Sequence, residues 1–218
     1  MTEQRLAQFI AIGIILLVAF PVHEFSHALA AYRLGDGTAK LFGRLTLNPV
    51  VHFDPVGGLM LVVTALFGFG FGWAKPTPVN PNNLRGGRQG EAIVSFAGPA
   101  SNLVLAVAAA LPLRYIVATH LEVPAILSSV LEYFVVINLA LMLFNFIPIP
   151  PLDGAKVLYA FLDPRTAYQI RPVLEQYGFL ILIVLIIPLG AGGSILGRLF
   201  VALIGPLSDL LVGRPLIG

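Results

Sequence analysis

The run Phe20-Pro21-Val22-His23-Glu24-Phe25-Ser26-His27-Ala28-Leu29 sets two imidazoles and a carboxylate inside an otherwise apolar stretch from Leu6 to Tyr32. In a helix, His23 and His27 stand one turn apart on the same face, close enough to hold one cation between them. Glu24 follows His23 directly, so its carboxylate can reach a water on that cation without being a ligand. This is the HExxH zinc signature, in which the histidines bind metal and the glutamate serves as general base. The four characters alone recur by chance; their place inside an apolar run of membrane length makes them informative.

Two histidines leave a tetrahedral zinc one protein ligand short, because catalytic sites combine three protein groups with an open position. The acidic candidates in or beside apolar segments are Asp54, Glu91, Glu132, Asp153, Asp163 and Asp209. Asp153 stands out. It ends the run Asn145-Phe146-Ile147-Pro148-Ile149-Pro150-Pro151-Leu152-Asp153-Gly154, where three prolines before it and a glycine after it impose a fixed, irregular backbone. A charge at membrane depth is costly unless it is paired or holds a metal, which makes function the default reading.

The elements that must position these groups are membrane elements. The 218 residues are 57% hydrophobic and only 11% charged, against about 25% charged in an average soluble domain, and mean hydropathy is +0.90. No cysteine is present, which excludes disulfides and thiolate metal sites. The surplus of 13 basic over 11 acidic residues is too small for a nucleic-acid footprint. The N-terminal apolar run imitates a secretory signal, but a signal core does not carry His, Glu and His.

Leu6–Leu34 is long enough to span, with Pro21 loosening the helix just before the His-Glu pair. Lys40–Leu47 and Trp73–Val79 read as short β-strands near one membrane face. Gly57–Trp73 is apolar, short and glycine-rich, and is expected to re-enter rather than cross. Ala92–Leu113 and Pro124–Phe146 read as spans and Pro148–Arg171 as interfacial. Leu174–Leu189 and Ile195–Leu211 read as a closing helical pair joined by Gly190–Gly193, and Phe67–Gly72 as tight packing. With a re-entrant segment, Arg33, Lys40, Arg44, Lys75, Arg85, Arg88, Lys156, Arg165, Arg171 and Arg214 share one face, and only Arg5, Arg114 and Arg198 fall elsewhere. The positive-inside tendency then makes the shared face cytoplasmic, and places Asp153 at the depth of the histidines. The fold expected is an all-α polytopic membrane protein, with five to six transmembrane or re-entrant segments around a three-helix catalytic core and short β-strands near the cytoplasmic face. One membrane-embedded domain covers 1–218, with its core at about 6–160.

On these motifs the chain resembles the site-2 protease family of intramembrane zinc metalloproteases. The family's second signature, NxxPxxxLDG, is matched by Asn145, Pro148, Leu152, Asp153 and Gly154, and its Gly-Pro-x-Ser-Asn element by Gly98-Pro99-Ala100-Ser101-Asn102. The resemblance implies one Zn2+ held by His23, His27 and Asp153, Glu24 as general base, and a membrane-protein substrate cut in or near a transmembrane helix. It departs from larger relatives in showing no PDZ domain, no nucleotide-binding module and no span before the HExxH helix. A compact chain of this kind suits a prokaryotic plasma membrane.

Asn102 and Asn145 could donate to an oxyanion or to substrate backbone; buried amides also glue membrane helices without chemistry. Asn138 reads as packing glue, and His120, in an expected external loop, carries no assignment. His52 could approach the metal or gate access, or stabilise a turn. The rival functions are a metal transporter or channel, and an inactive helix-binding scaffold. Transport favours ligands strung through several depths, whereas these cluster at one. The partners expected are a transmembrane substrate and membrane lipid, and nothing in the sequence sets an oligomeric state.

Overall fold

The computed structural model describes residues 3–67, 72–188 and 193–217. Those residues form helices, turns and extended segments, with no strand among them. Among the described residues, five helices are long and apolar enough to cross a membrane: Glu3–Arg33, Arg88–Thr119, Ala125–Asn145, Pro164–Ile186 and Ile195–Val212.

The first of these is α1 (Glu3–Ile14) and α2 (Phe20–Arg33), joined by a π turn at Ile15–Ala19. Pro21 has no N–H, and its ring crowds the carbonyl four residues back. The wider turn, in which the Phe20 N–H reaches back to the Ile15 carbonyl, absorbs both effects without breaking the rod. Pro21 thus loosens the helix where the histidines begin.

Beyond α2 come two single-turn helices, α3 (Thr38–Leu41) and α4 (Pro49–His52), then α5 (Pro55–Phe67). The strand expected over Lys40–Leu47 does not form. Asp36 accepts from the Thr38 N–H at 3.0 Å and starts a helical turn, and Gly43, at φ +66°, closes it. At 13 residues, α5 is about 20 Å long and falls short of a roughly 30 Å hydrocarbon core. Its start meets the return leg. A Cβ on Gly57 would lie 2.0 Å from the Trp73 carbonyl oxygen, and the Lys75 N–H donates to the His52 carbonyl at 2.9 Å. The excursion leaves and returns at the same end of α2. Residues 68–71, and with them most of the packing expected for Phe67–Gly72, lie outside the described residues.

The second strand expected, Trp73–Val79, joins no β ladder among the described residues. Pro76 and Pro78 remove two of the donors a ladder needs. Its far end is tied down by Asp36, which is fully buried. That carboxylate accepts from the Asn80 N–H at 2.7 Å and Asn83 Nδ2 at 3.1 Å as well as from Thr38. Burial alone would raise the pKa of Asp36; these hydrogen bonds together outweigh it and hold the group below the ordinary aspartate value.

The core helix α6 (Arg88–Thr119) packs against α2 and α7 (Ala125–Asn145). Its small residues Ala106, Ala109 and Ala110 let Val135, Leu139 and Met142 of α7 close in. The irregular 146–152 segment leads to α8 (Asp153–Phe161), and Asp163 then caps α9 (Pro164–Ile186) by accepting from the N–H groups of Arg165 and Thr166. With that cap and Pro164 in its first turn, α9 starts ten residues before the span expected from Leu174 and takes in the last third of the segment read as interfacial.

The last helix, α10 (Ile195–Val212), places Leu196 beside Phe144, Leu152 and Leu182, and Val212 beside Leu113. It therefore runs from the level of residue 152 towards the end where α6 finishes. Arg114 donates to the Leu210 and Leu211 carbonyls there, and Arg214 pairs with Glu132. Arg214 thus joins Arg114 at the end away from Arg33, Arg85 and Arg88, a correction to the charge map drawn from sequence. Of the expected Gly190–Gly193 joint, residues 190–192 lie outside the described residues.

Candidate active site

Three segments converge at one level of the bundle. His23 and His27 project from α2, and their Nε2 atoms approach to 3.1 Å. Asp153, first residue of α8, places Oδ2 3.3 Å from His23 Nε2 and 3.2 Å from His27 Nε2. Tetrahedral ligands about 2.0–2.1 Å from a zinc ion are separated by about 3.3 Å along each edge. The spacing of these three atoms therefore matches one face of a zinc tetrahedron.

The far side of each imidazole is also fixed. His23 Nδ1 lies 2.6 Å from Asn102 Oδ1, and Asn102 Nδ2 donates to Asn138 Oδ1 at 3.1 Å. Because Nδ2 is the donor in that second bond, Oδ1 is the acceptor for His23, so the ring carries its proton on Nδ1 and presents Nε2 as a lone pair. His27 Nδ1 is 2.7 Å from the Val94 carbonyl oxygen, which sets the same tautomer. Partners of this kind orient and strengthen metal-binding imidazoles. Gly98 of α6 completes the cradle: a Cβ there would lie 2.3 Å from His27 Nε2 and 2.6 Å from His23 Nε2. No side chain larger than hydrogen fits. Both tautomers, the carboxylate and the close approach of α6 that Gly98 permits suit a divalent, imidazole-preferring metal.

Glu24 is buried, and its Oε2 accepts from the Thr77 N–H at 2.7 Å. Together with the metal-type cluster it lines a cavity of about 660 Å3. The walls include Phe20, Met60, Leu141 and Phe144, with Phe179 and Ile183 from α9, and Lys156.

The remaining sequence candidates take different places. Asn102 is fully buried at the cavity wall, with its oxygen on His23 and its nitrogen on Asn138. Asn145 lines the cavity, with Nδ2 on the Leu141 carbonyl of its own helix at 2.9 Å. His52 is buried away from the cavity walls, and its Nε2 donates to the Thr46 carbonyl at 2.8 Å, so it braces a turn. Asn138, read as packing glue, is the outer link of the His23 chain. The sequence reading did not find Val94 or Thr77. A main-chain carbonyl leaves no trace in residue type, but Pro76-Thr77-Pro78 isolates one N–H and is a signal that could have been used.

Comparison with known proteins places this site in a family. The model of "Peptidase family M50" matches residues 115–189, which include Asp153. A Bacillus subtilis protein named "Putative zinc metalloprotease YwhC" is 40% identical over 208 residues, covering 89% of this chain and 92% of that one. The chain belongs to peptidase family M50. A Mycolicibacterium smegmatis relative named "Putative zinc metalloprotease Rip2" is 37% identical over 174 residues, covering 78% of this chain and 64% of its own length. A Mycobacterium tuberculosis protein of the same name is 31% identical over 189 residues, covering 84% and 69%. No solved structure matches. With its five long apolar helices, this M50 chain is a membrane-embedded protein.

Proposed function

We propose that this M50 metalloprotease is an intramembrane endopeptidase, one domain that uses a single Zn2+ to hydrolyse a peptide bond in or near a transmembrane helix of another membrane protein. The observation that carries the reading is the convergence of His23, His27 and Asp153 from distant parts of the chain, with Glu24 lining the same cavity. His23 Nε2, His27 Nε2 and Asp153 Oδ2 would hold the metal. Zinc at such a site polarises a carbonyl and brings the pKa of a water from 15.7 towards 7.

The protein's own groups do the rest. Glu24 Oε1 takes a proton from the attacking water and returns it to the leaving nitrogen, as the general base and then the general acid. Asn145, which lines the cavity, would steady charge on the substrate carbonyl through its amide. The apolar walls suit an apolar segment opened from its helix, while the irregular backbone of the re-entrant excursion borders a wet cavity. The basic residues clustered at the Arg33, Arg85 and Arg88 end support a cytoplasmic mouth, and the bacterial relatives suit a prokaryotic plasma membrane.

The test is cleavage of a panel of single-span proteins in detergent by wild type and Glu24→Gln, with zinc measured in both. The expected result is full zinc in both and loss of cutting in the variant. Equal cutting by both proteins would remove Glu24 from the mechanism; metal flux in liposomes that survives the substitution would favour transport.

A further inference from the structure

Residues 73–80 form neither helix nor strand and run along the cavity wall as a strap, which meets the proposed base twice. The Thr77 N–H donates to Glu24 Oε2 at 2.7 Å, and the Thr77 hydroxyl donates to the Glu24 main-chain carbonyl at 3.0 Å. Pro76 and Pro78 have no N–H, so Thr77 supplies the only main-chain donor of the tripeptide. A residue before proline is biased towards extended backbone, which favours that conformation at Lys75 and Thr77 alike. The Lys75 N–H, two residues back, bonds the His52 carbonyl at 2.9 Å, following the alternation of extended chain. Past Thr77, the Asn80 N–H is held by Asp36 at 2.7 Å. The strap is therefore anchored on both sides of its contact with Glu24.

We propose that Thr77 is a positioning residue for Glu24, through which the strap sets the orientation of the base; the proposal rests on the peptidase reading. The bond to Oε2 is charge-assisted and directional, so it fixes the carboxylate plane. Among the described residues Oε1 has no hydrogen-bond partner, and it is the oxygen left for proton transfer. The hydroxyl bond ties the same residue to the α2 backbone, so the strap cannot shift without turning the base. Neither bond involves the metal-binding atoms. Loss of either should lower turnover while leaving zinc and substrate binding in place.

The experiment uses the full chain, zinc-loaded in detergent, with a single-span substrate cut by wild type. It compares Thr77→Ser, Thr77→Val and Thr77→Pro by kcat, KM and zinc per chain. Removing the hydroxyl in Thr77→Val should lower kcat about 3- to 10-fold, the range for one hydrogen bond. Removing the N–H in Thr77→Pro should lower it about 10- to 100-fold, the range for a bond to a charged group. Zinc and KM should stay within about twofold in both, and Thr77→Ser should recover wild-type kcat within about twofold. Wild-type kcat in Thr77→Val overturns the role, as does a loss carried by KM or zinc, or a serine variant that fails to recover. If Thr77→Pro does not fold, the valine and serine pair decides the matter. Zinc-loaded wild type that cuts no substrate overturns the peptidase reading itself, and the positioning role with it.

Discussion

Replacing Gly98 by alanine separates the metal centre from the stability of the helix that carries it. The new Cβ would lie 2.3 Å from His27 Nε2, 2.5 Å from His27 Cε1 and 2.6 Å from His23 Nε2. Relative to an ordinary contact of about 3.5 Å, the imidazoles or α6 must give way by about 1 Å. A zinc site tolerates ligand displacements of only about 0.2 Å. Disturbing even the partners behind the ligands costs about 10- to 100-fold in affinity, so moving both imidazoles should cost at least about 100-fold, or roughly 2.7 kcal/mol. In an unhindered helix the same substitution would be worth about 0.5–1 kcal/mol in favour of alanine, against an overpacking cost of about 1–3 kcal/mol. The helix should therefore survive. The assay is competition for zinc against a chromogenic chelator, alongside melting of the metal-free protein. We expect the metal-free protein to stay folded, melting lower by no more than about 10 °C, and a collapse in zinc affinity. An alanine variant that binds zinc within about threefold of wild type would refute the geometry of the cradle.

Further outcomes follow from the groups that brace the site. Asn138→Leu removes the acceptor of the Asn102 amide and should weaken zinc binding by about 10-fold through the freed His23 ring, read by the same competition. Asp36 carries the pH dependence of the strap. Its folded pKa lies below the ordinary value, so its stabilisation is complete above about pH 4 and is lost as pH falls through the folded pKa. Limited proteolysis between residues 73 and 83 should accelerate below that pH in wild type. In Asp36→Asn it should be faster at pH 7 and flat through the acid range.

The long apolar runs and the three motifs were legible in sequence because each rests on residue type at a fixed spacing. His23 with His27 needs only helical periodicity, and Asp153 announces itself among prolines beside an apolar run. The strands were misread because Lys40–Leu47 and Trp73–Val79 carry the alternation of a ladder but not its partners. At Trp73–Val79 the decisive signal was the absence of donors at Pro76 and Pro78. Arg214 was misplaced because the direction of α10 depends on packing of Leu196 and Val212 that no local pattern encodes. Asn102 was recognised as polar and central, but its task is set by Asn138, 36 residues away. The Val94 carbonyl could be found only in three dimensions.

The central claim is that His23, His27 and Asp153 hold one zinc ion, and zinc-edge X-ray absorption on the purified protein, with the metal counted per chain, tests it most directly. The account predicts one zinc per chain, with nitrogen and oxygen scatterers at about 2.0–2.1 Å and the outer-shell signature of two imidazoles. A zinc shell without imidazole scattering, or one that Asp153→Ala leaves unchanged, would contradict it.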